Sequence, residues 1–316
     1  MNEFLIFALA LSALIVFSYC LIPSSKLFEW AIALERWAAN LTTQKINIHQ
    51  GQIEYLDGGK GEVLILLHGF GANKDSWNRL AKHLTPHFRV IAIDLPGFGN
   101  SFQYMHQHYD VEMQVEWLEE IVVKLNLTQF HLAGNSMGGY IAGNYAALNP
   151  SKISSLWLIN TLGVASAPDS EMFKDIAQEK RPAVLAKSKP EYKQLISHVF
   201  HKAPYMPNFF IDALAINSMN NFAINKKIFD EIHHTTNHQV NFSSPIEQAL
   251  AGFDRPLLIT WGEKDRIVHP DGASALQKVV PTSTVKIIDN VGHLPMIEAP
   301  KLTARQFTNF CNHLQR

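Results

Sequence analysis

Two kinds of apolar run organise the sequence. From Lys45 onward, short apolar runs alternate with amphipathic stretches: "VLILLH" (63–68), "RVIAID" (89–94), "FHLAG" (130–134), "SSLWLIN" (154–160), "PLLITWG" (256–262) and "TVKIID" (284–289). Continuous apolar runs of this length are what strands covered on both faces require. Between two of them, Val111, Val115, Leu118, Val122 and Leu125 recur at alternating four- and three-residue steps behind Asp110. That spacing predicts a capped helix with one buried stripe. Asp75 is placed to cap a helix reaching Leu84, and Pro270 and Pro300 suit the first turns of two more. "KINIHQGQIEYLDGG" (45–59) reads as a hairpin turning at Gly51. Alternating strands and helices predict an α/β fold, a mostly parallel sheet with helices on both faces.

The rhythm stops between Thr161 and about Gly252. Prolines at 168, 182, 190, 204 and 207 break up helix-like pieces there, and no strand is clear. Residues 162–252 therefore read as a helical cap inserted into a core made of 45–161 and 253–316. Its "YMPNFFIDALAI" (205–216) reads chiefly as core packing of the insertion, with an apolar wall over a pocket as the functional alternative.

The second kind of run lies at the N-terminus. Phe4 to Ile22 is 19 residues without a charge. A helix of that length spans roughly 28 Å, against a hydrocarbon thickness of about 30 Å. No Lys or Arg precedes the run, no small-x-small site follows directly, and bulky Tyr19 spoils a lipoprotein signature at Cys20. A retained single-pass anchor over residues 1–25 is preferred to a cleaved signal peptide, with secretion the alternative. In the juxtamembrane segment, 26–44, Glu29 and Arg36 fall on one stripe of an otherwise apolar helix. That helix either lies in the membrane interface, with Trp30 and Trp37 at headgroup depth, or packs on the following domain. Lys26 and Arg36 after the span favour a cytoplasmic domain.

Composition changes this picture little. Lys and Arg number 27 against 28 Asp and Glu, with no basic block, so nothing favours nucleic acid. Two cysteines, Cys20 and Cys311, argue against a disulfide framework.

Candidate chemistry centres on Gly134-Asn135-Ser136-Met137-Gly138, a G-x-S-x-G between a predicted strand and a predicted helix. A chain reversing there strains the serine and exposes its hydroxyl, and only small residues such as Gly134, Gly138 and Gly139 let strand and helix pass. A serine hydroxyl needs a base and an orienting carboxylate to act as a nucleophile. Asp265 and His293 each stand just past a later apolar run, at carboxyl ends of strands, where ligands bind in open α/β sheets. His269 is the rival base and Glu263 the rival acid. Asn160 ends its own strand without an acid, and Asp94 and Asp289 read as loop-fixing residues. His233, His234 and His238 form a histidine-rich patch, read as a solvated loop rather than a metal site. No cofactor or metal is expected. Backbone N–H groups of Met137 and Phe70 are the expected oxyanion donors, with Gly69 and Gly71 letting that loop approach and His68 fixing it.

"HGF" (68–70), "DLPGFGNS" (94–101), "GNSMGG" (134–139), "WGEKDRIV" (261–268) and "GHLPMIEAP" (292–300) resemble the α/β-hydrolase superfamily, in order and spacing. Within it the chain is similar to membrane-anchored monoacylglycerol lipases and related bacterial lipases. The resemblance implies Ser136 as nucleophile, Asp265 as acid, His293 as base, and Phe70 with Met137 at the oxyanion hole. The expected activity is hydrolysis of glyceride esters, mono- or short-acyl, by a membrane-associated enzyme. The alternatives are a carbon–carbon bond hydrolase of aromatic ring-cleavage products and a non-catalytic binding protein on the same fold.

Overall fold

The structure is a computed structural model describing residues 22–236 and 239–314. Its strands are β1 (Leu41–Asn47), β2 (Gln52–Gly58), β3 (Val63–Leu67), β4 (Arg89–Ile93), β5 (Phe130–Ser136), β6 (Ile153–Thr161), β7 (His234–Thr236), β8 (Gln239–Asn241), β9 (Leu257–Gly262) and β10 (Thr284–Ile288). Eight of them form one sheet in the order β1-β2-β4-β3-β5-β6-β9-β10. The β1–β2 hairpin enters antiparallel and meets β4 antiparallel, and every later pairing in that sheet is parallel. Every residue of β5 is buried, as a central strand with both faces covered requires.

The helices are α1 (Ser24–Ala38), α2 (Asn78–Leu84), α3 (Val111–Lys124), α4 (Met137–Leu148), α5 (Glu171–Ala177), α6 (Lys189–Val199), α7 (Asn208–Asn220), α8 (Phe222–Ile232), α9 (Ile246–Ala249), α10 (Gly272–Val279), α11 (Pro295–Glu298) and α12 (Pro300–Leu314). Asp110 caps α3 by accepting from Met113 N at 2.9 Å, a contact that contributes about 1 kcal/mol. The two faces of the sheet carry separate apolar clusters. One gathers Trp117, Tyr140 and Tyr145 beside the insertion's Ile224 and Ile228. The other gathers Trp77, Trp157 and Phe307, the last two stacked at 4.6 Å.

The structure departs from the sequence pattern at several places. The insertion is not purely helical, because β7 and β8 pair as a small antiparallel hairpin. Each strand is three residues long, and β7 is wholly exposed, so neither buries enough side chains to leave an alternation in the sequence. Asp75 does not cap the helix reaching Leu84. Asn73 caps a short 3₁₀ turn ahead of α2, while Asp75 is engaged by Arg36 in a two-pronged ion pair at 2.6 and 2.7 Å. The sheet begins earlier than Lys45, at Leu41, so the juxtamembrane helix ends at Ala38.

That helix, α1, packs on its neighbours. Phe28 meets Phe210 of α7 at 4.8 Å, and Glu35 accepts from Arg79 Nε at 2.8 Å. Its outer face leaves Trp30, Leu34 and Trp37 exposed at 57, 63 and 78%. The apolar run at 4–22 lies, apart from Ile22, outside the described residues. No helix among the described residues is long and apolar enough to cross a membrane.

Candidate active site

Strand β5 passes into α4 at Ser136, whose φ of 55° and ψ of −121° are strained for a residue with a Cβ. Neighbouring glycines make the turn sterically feasible. A Cβ on Gly134 would lie 2.1 Å from Gly138 O, and one on Gly138 would lie 2.2 Å from Leu67 O. Ser136 and His293 both line a cavity of about 260 Å³ above the carboxyl ends of the parallel strands.

His293 follows β10 and Asp265 follows β9, and the structure brings them together with Nδ1 2.8 Å from Asp265 Oδ2. A carboxylate only accepts, so Nδ1 carries the proton and Nε2 is left with its lone pair. Asp265 accepts four hydrogen bonds. Oδ1 takes the N–H groups of Ile267 and Val268 at 2.8 and 3.1 Å, and Oδ2 takes Asn160 Nδ2 at 2.6 Å beside His293. Four donors leave this buried carboxylate fully satisfied and its orientation fixed.

The rival residues stand elsewhere. His269 Nδ1 accepts from Asp271 N in its own loop, and His269 does not line the cavity. Glu263 is tied to Asn290 N and Lys264, and Asn290 N lowers its pKa. Of the histidine patch, His233 is buried in the cavity wall and His234 is exposed on β7, while His238 lies outside the described residues. No group of His, Cys, Asp or Glu among the described residues is placed to hold a metal ion.

The loop after β3 carries Phe70. His68 Nδ1 donates to Gly69 O at 2.8 Å, and its Nε2 accepts from Leu95 N at 3.0 Å. Burial pushes the His68 pKa down, which favours this neutral tautomer. A trans peptide points its N–H opposite its C=O, so pinning Gly69 O fixes the direction of the Phe70 N–H. That N–H has no acceptor among the described residues. The Met137 N–H opens α4 and has no preceding helical turn to bond to.

Behind the loop lies a buried ion cluster that sequence reasoning reached only through Asp94. Lys74 Nζ sits 2.7 Å from Asp94 Oδ2 and 2.8 Å from Glu54 Oε1. Burial alone would lower the Lys74 pKa, but the two carboxylates hold it above its ordinary value. Asp94 also accepts from Lys74 N and Asn100 N, which joins the β3 loop to the "DLPGFGNS" turn.

Three further residues carried no signal in the pattern. Asn160, the penultimate residue of β6, stands at φ 44°, its Oδ1 taking Gly262 N so that its Nδ2 faces Asp265. Asn135 donates from Nδ2 to Ile159 O and His293 O, tying the serine turn to the histidine loop. Glu298 clamps that loop to the insertion, accepting from Gly292 N on one oxygen and from His201 N and Lys202 N on the other.

The cavity walls are mainly apolar. The β3 loop and α8 meet through Phe70 and Phe229, with ring centroids 5.6 Å apart. Met206, Phe210 and Leu214, from the apolar stretch of the insertion, form another wall, and α1 closes a side with Phe28 and Ile32.

Comparison with known proteins identifies the family of the fold. The α/β hydrolase fold family matches residues 62–300. Lipase 3 of Moraxella sp. (strain TA144) is 34% identical over 289 residues, covering 90% of this chain and 89% of that lipase. Monoacylglycerol lipase ABHD6 of Homo sapiens is 29% identical over 313 residues, covering 93% of this chain and 89% of that enzyme. Among solved structures, a membrane phospholipase A described as a bacterial virulence factor superposes with a TM-score of 0.87 at 30% identity, covering 100% of both chains.

Proposed function

The chain belongs to the α/β hydrolase family and is an ester-hydrolysing enzyme, and from that premise we propose that it cleaves glycerides, monoacylglycerols or short-acyl esters, through an acyl-enzyme on Ser136. His293 Nε2 takes the Ser136 proton as Oγ attacks the ester carbonyl. The resulting oxyanion is held by the N–H groups of Phe70 and Met137, whose directions are set before substrate arrives. His293 then protonates the departing alcohol, and later activates a water that releases the fatty acid. Asp265 keeps the proton on Nδ1 throughout and stabilises the imidazolium that forms transiently.

The observation that carries this reading is the shared cavity. A serine at a strained turn and a histidine oriented by a buried carboxylate open into one space with largely apolar walls. Walls on several sides favour a single acyl chain over the three of a triacylglycerol. A panel of monoacylglycerols, triacylglycerol emulsions, p-nitrophenyl esters and a vinylogous diketone tests it. Monoacylglycerols and short-acyl esters are expected to give the highest kcat/KM. Preference for the emulsion or the diketone would refute the reading.

Residues 4–22 serve as a membrane anchor in this proposal, and α1 lies along the membrane surface. Support comes from the charge-free apolar run and from Trp30, Leu34 and Trp37, which are spaced to form one exposed stripe on α1. The full chain is expected to stay with membranes through a carbonate wash, and a chain beginning at Ser24 to be released by it. Loss of the full chain into the wash would rule out a spanning anchor.

A further inference from the structure

The cavity has one wall that an acyl chain does not satisfy. Asn225 and Phe229 stand one turn apart on one side of α8, and His233, four residues further on, is the extended residue that ends the helix. All three line the cavity. Phe229 is held between the ring of Phe70, at 5.6 Å, and the ring of His233, edge-on at 4.2 Å. This side of the cavity therefore adjoins the β3 loop that carries the Phe70 N–H.

Asn225 and His233 are each more than nine-tenths buried. The Asn225 side-chain amide has no hydrogen-bond partner among the described residues. Burial lowers the His233 pKa to about 4. The ring is thus neutral, with one nitrogen that donates and one that accepts. An amide and an imidazole against methylene groups would lose their water without replacement, so a hydrocarbon chain is the wrong occupant. A hydroxyl both donates and accepts, and matches both groups.

We propose that Asn225 and His233 form a hydrogen-bonding station for the free hydroxyls of the glycerol leaving group. The inference rests on the glyceride reading above and assigns the alcohol side of the substrate to the α8 wall. Phe229, between the two polar groups, packs against the glycerol carbons.

The test compares kcat/KM on a 1-monoacylglycerol with kcat/KM on the methyl ester of the same fatty acid, for wild type, Asn225→Leu and His233→Phe. The ratio of the two values is expected to fall about tenfold or more in each variant, because a site built to bond hydroxyls loses its preference for the substrate that has them. His233→Gln keeps an acceptor and is expected to retain most of the ratio, which a merely space-filling role would not predict. Ratios within about twofold of wild type in both Asn225→Leu and His233→Phe would overturn the station while leaving glyceride hydrolysis standing. A wild type that cleaves the methyl ester and ignores the monoacylglycerol would overturn the glyceride reading and the station together. Melting curves identify any variant that fails to fold, and the ratio in the remaining one then decides.

Discussion

Ser136→Ala is expected to lose all labelling by a fluorophosphonate probe and to lower ester turnover on the order of a million-fold, the scale seen when a serine nucleophile is removed from such a unit. Stability should barely move. The Ser136 side chain makes no hydrogen bond among the described residues, and alanine meets the same steric problem at φ 55°. Ser136→Gly separates the two contributions. It removes the same hydroxyl but tolerates positive φ, and should therefore raise stability by about 1 kcal/mol. Chemical denaturation reads that gain, and active-site titration reads the loss. Equal labelling of Ser136→Ala and wild type would remove Ser136 from the mechanism.

Asp265→Asn should be nearly as damaging, although it changes one atom. The carboxylate accepts from two donors on each oxygen. An asparagine has one accepting oxygen, so its NH₂ must face either the backbone N–H groups of Ile267 and Val268 or the pair formed by Asn160 Nδ2 and His293 Nδ1. In the second orientation His293 is driven to place its proton on Nε2, where it can no longer accept from Ser136. A fall in kcat of about 10⁴ is expected, with KM little changed, as for other serine–histidine pairs whose orienting acid becomes an amide. A kcat within tenfold of wild type would mean that another acid orients His293.

The places where Ser136, Asp265 and His293 stand were legible because each follows directly on an apolar run. Strand ends in a parallel sheet converge on one edge, so sequence order and strand position sufficed to bring the three side chains near one another. The glycines at 134 and 138 were legible for a steric reason, since their spacing states how closely β5 and α4 must pass. Partner choice over long separations was not legible. Asp75 had the spacing of a helix cap, but Arg36 approaches from α1 and takes both oxygens. Asn160 read only as the absence of an acid, and its contact with Asp265 exists because β6 and β9 lie side by side. Lys74, in a polar-looking loop, gave no hint of its burial against Asp94 and Glu54.

Helix α1 leaves a consequence for the order in which the molecule is assembled. It precedes the whole sheet in the chain, yet its seats, Asp75, Arg79 and Phe210, are supplied by the β3–α2 region and by the middle of the insertion. During synthesis it must wait, with its apolar face uncovered, until those residues have emerged and folded. Closing so long a loop of chain is entropically late, so this wall is set after β9 and β10, the strands that precede Asp265 and His293, have joined β5 and β6 in the sheet. By the same reasoning it is among the first parts to come away when the native state opens locally. The side of the cavity contributed by α1 is then the side with the shortest lifetime, and exchange of its amide protons should outpace that of β5 and β6.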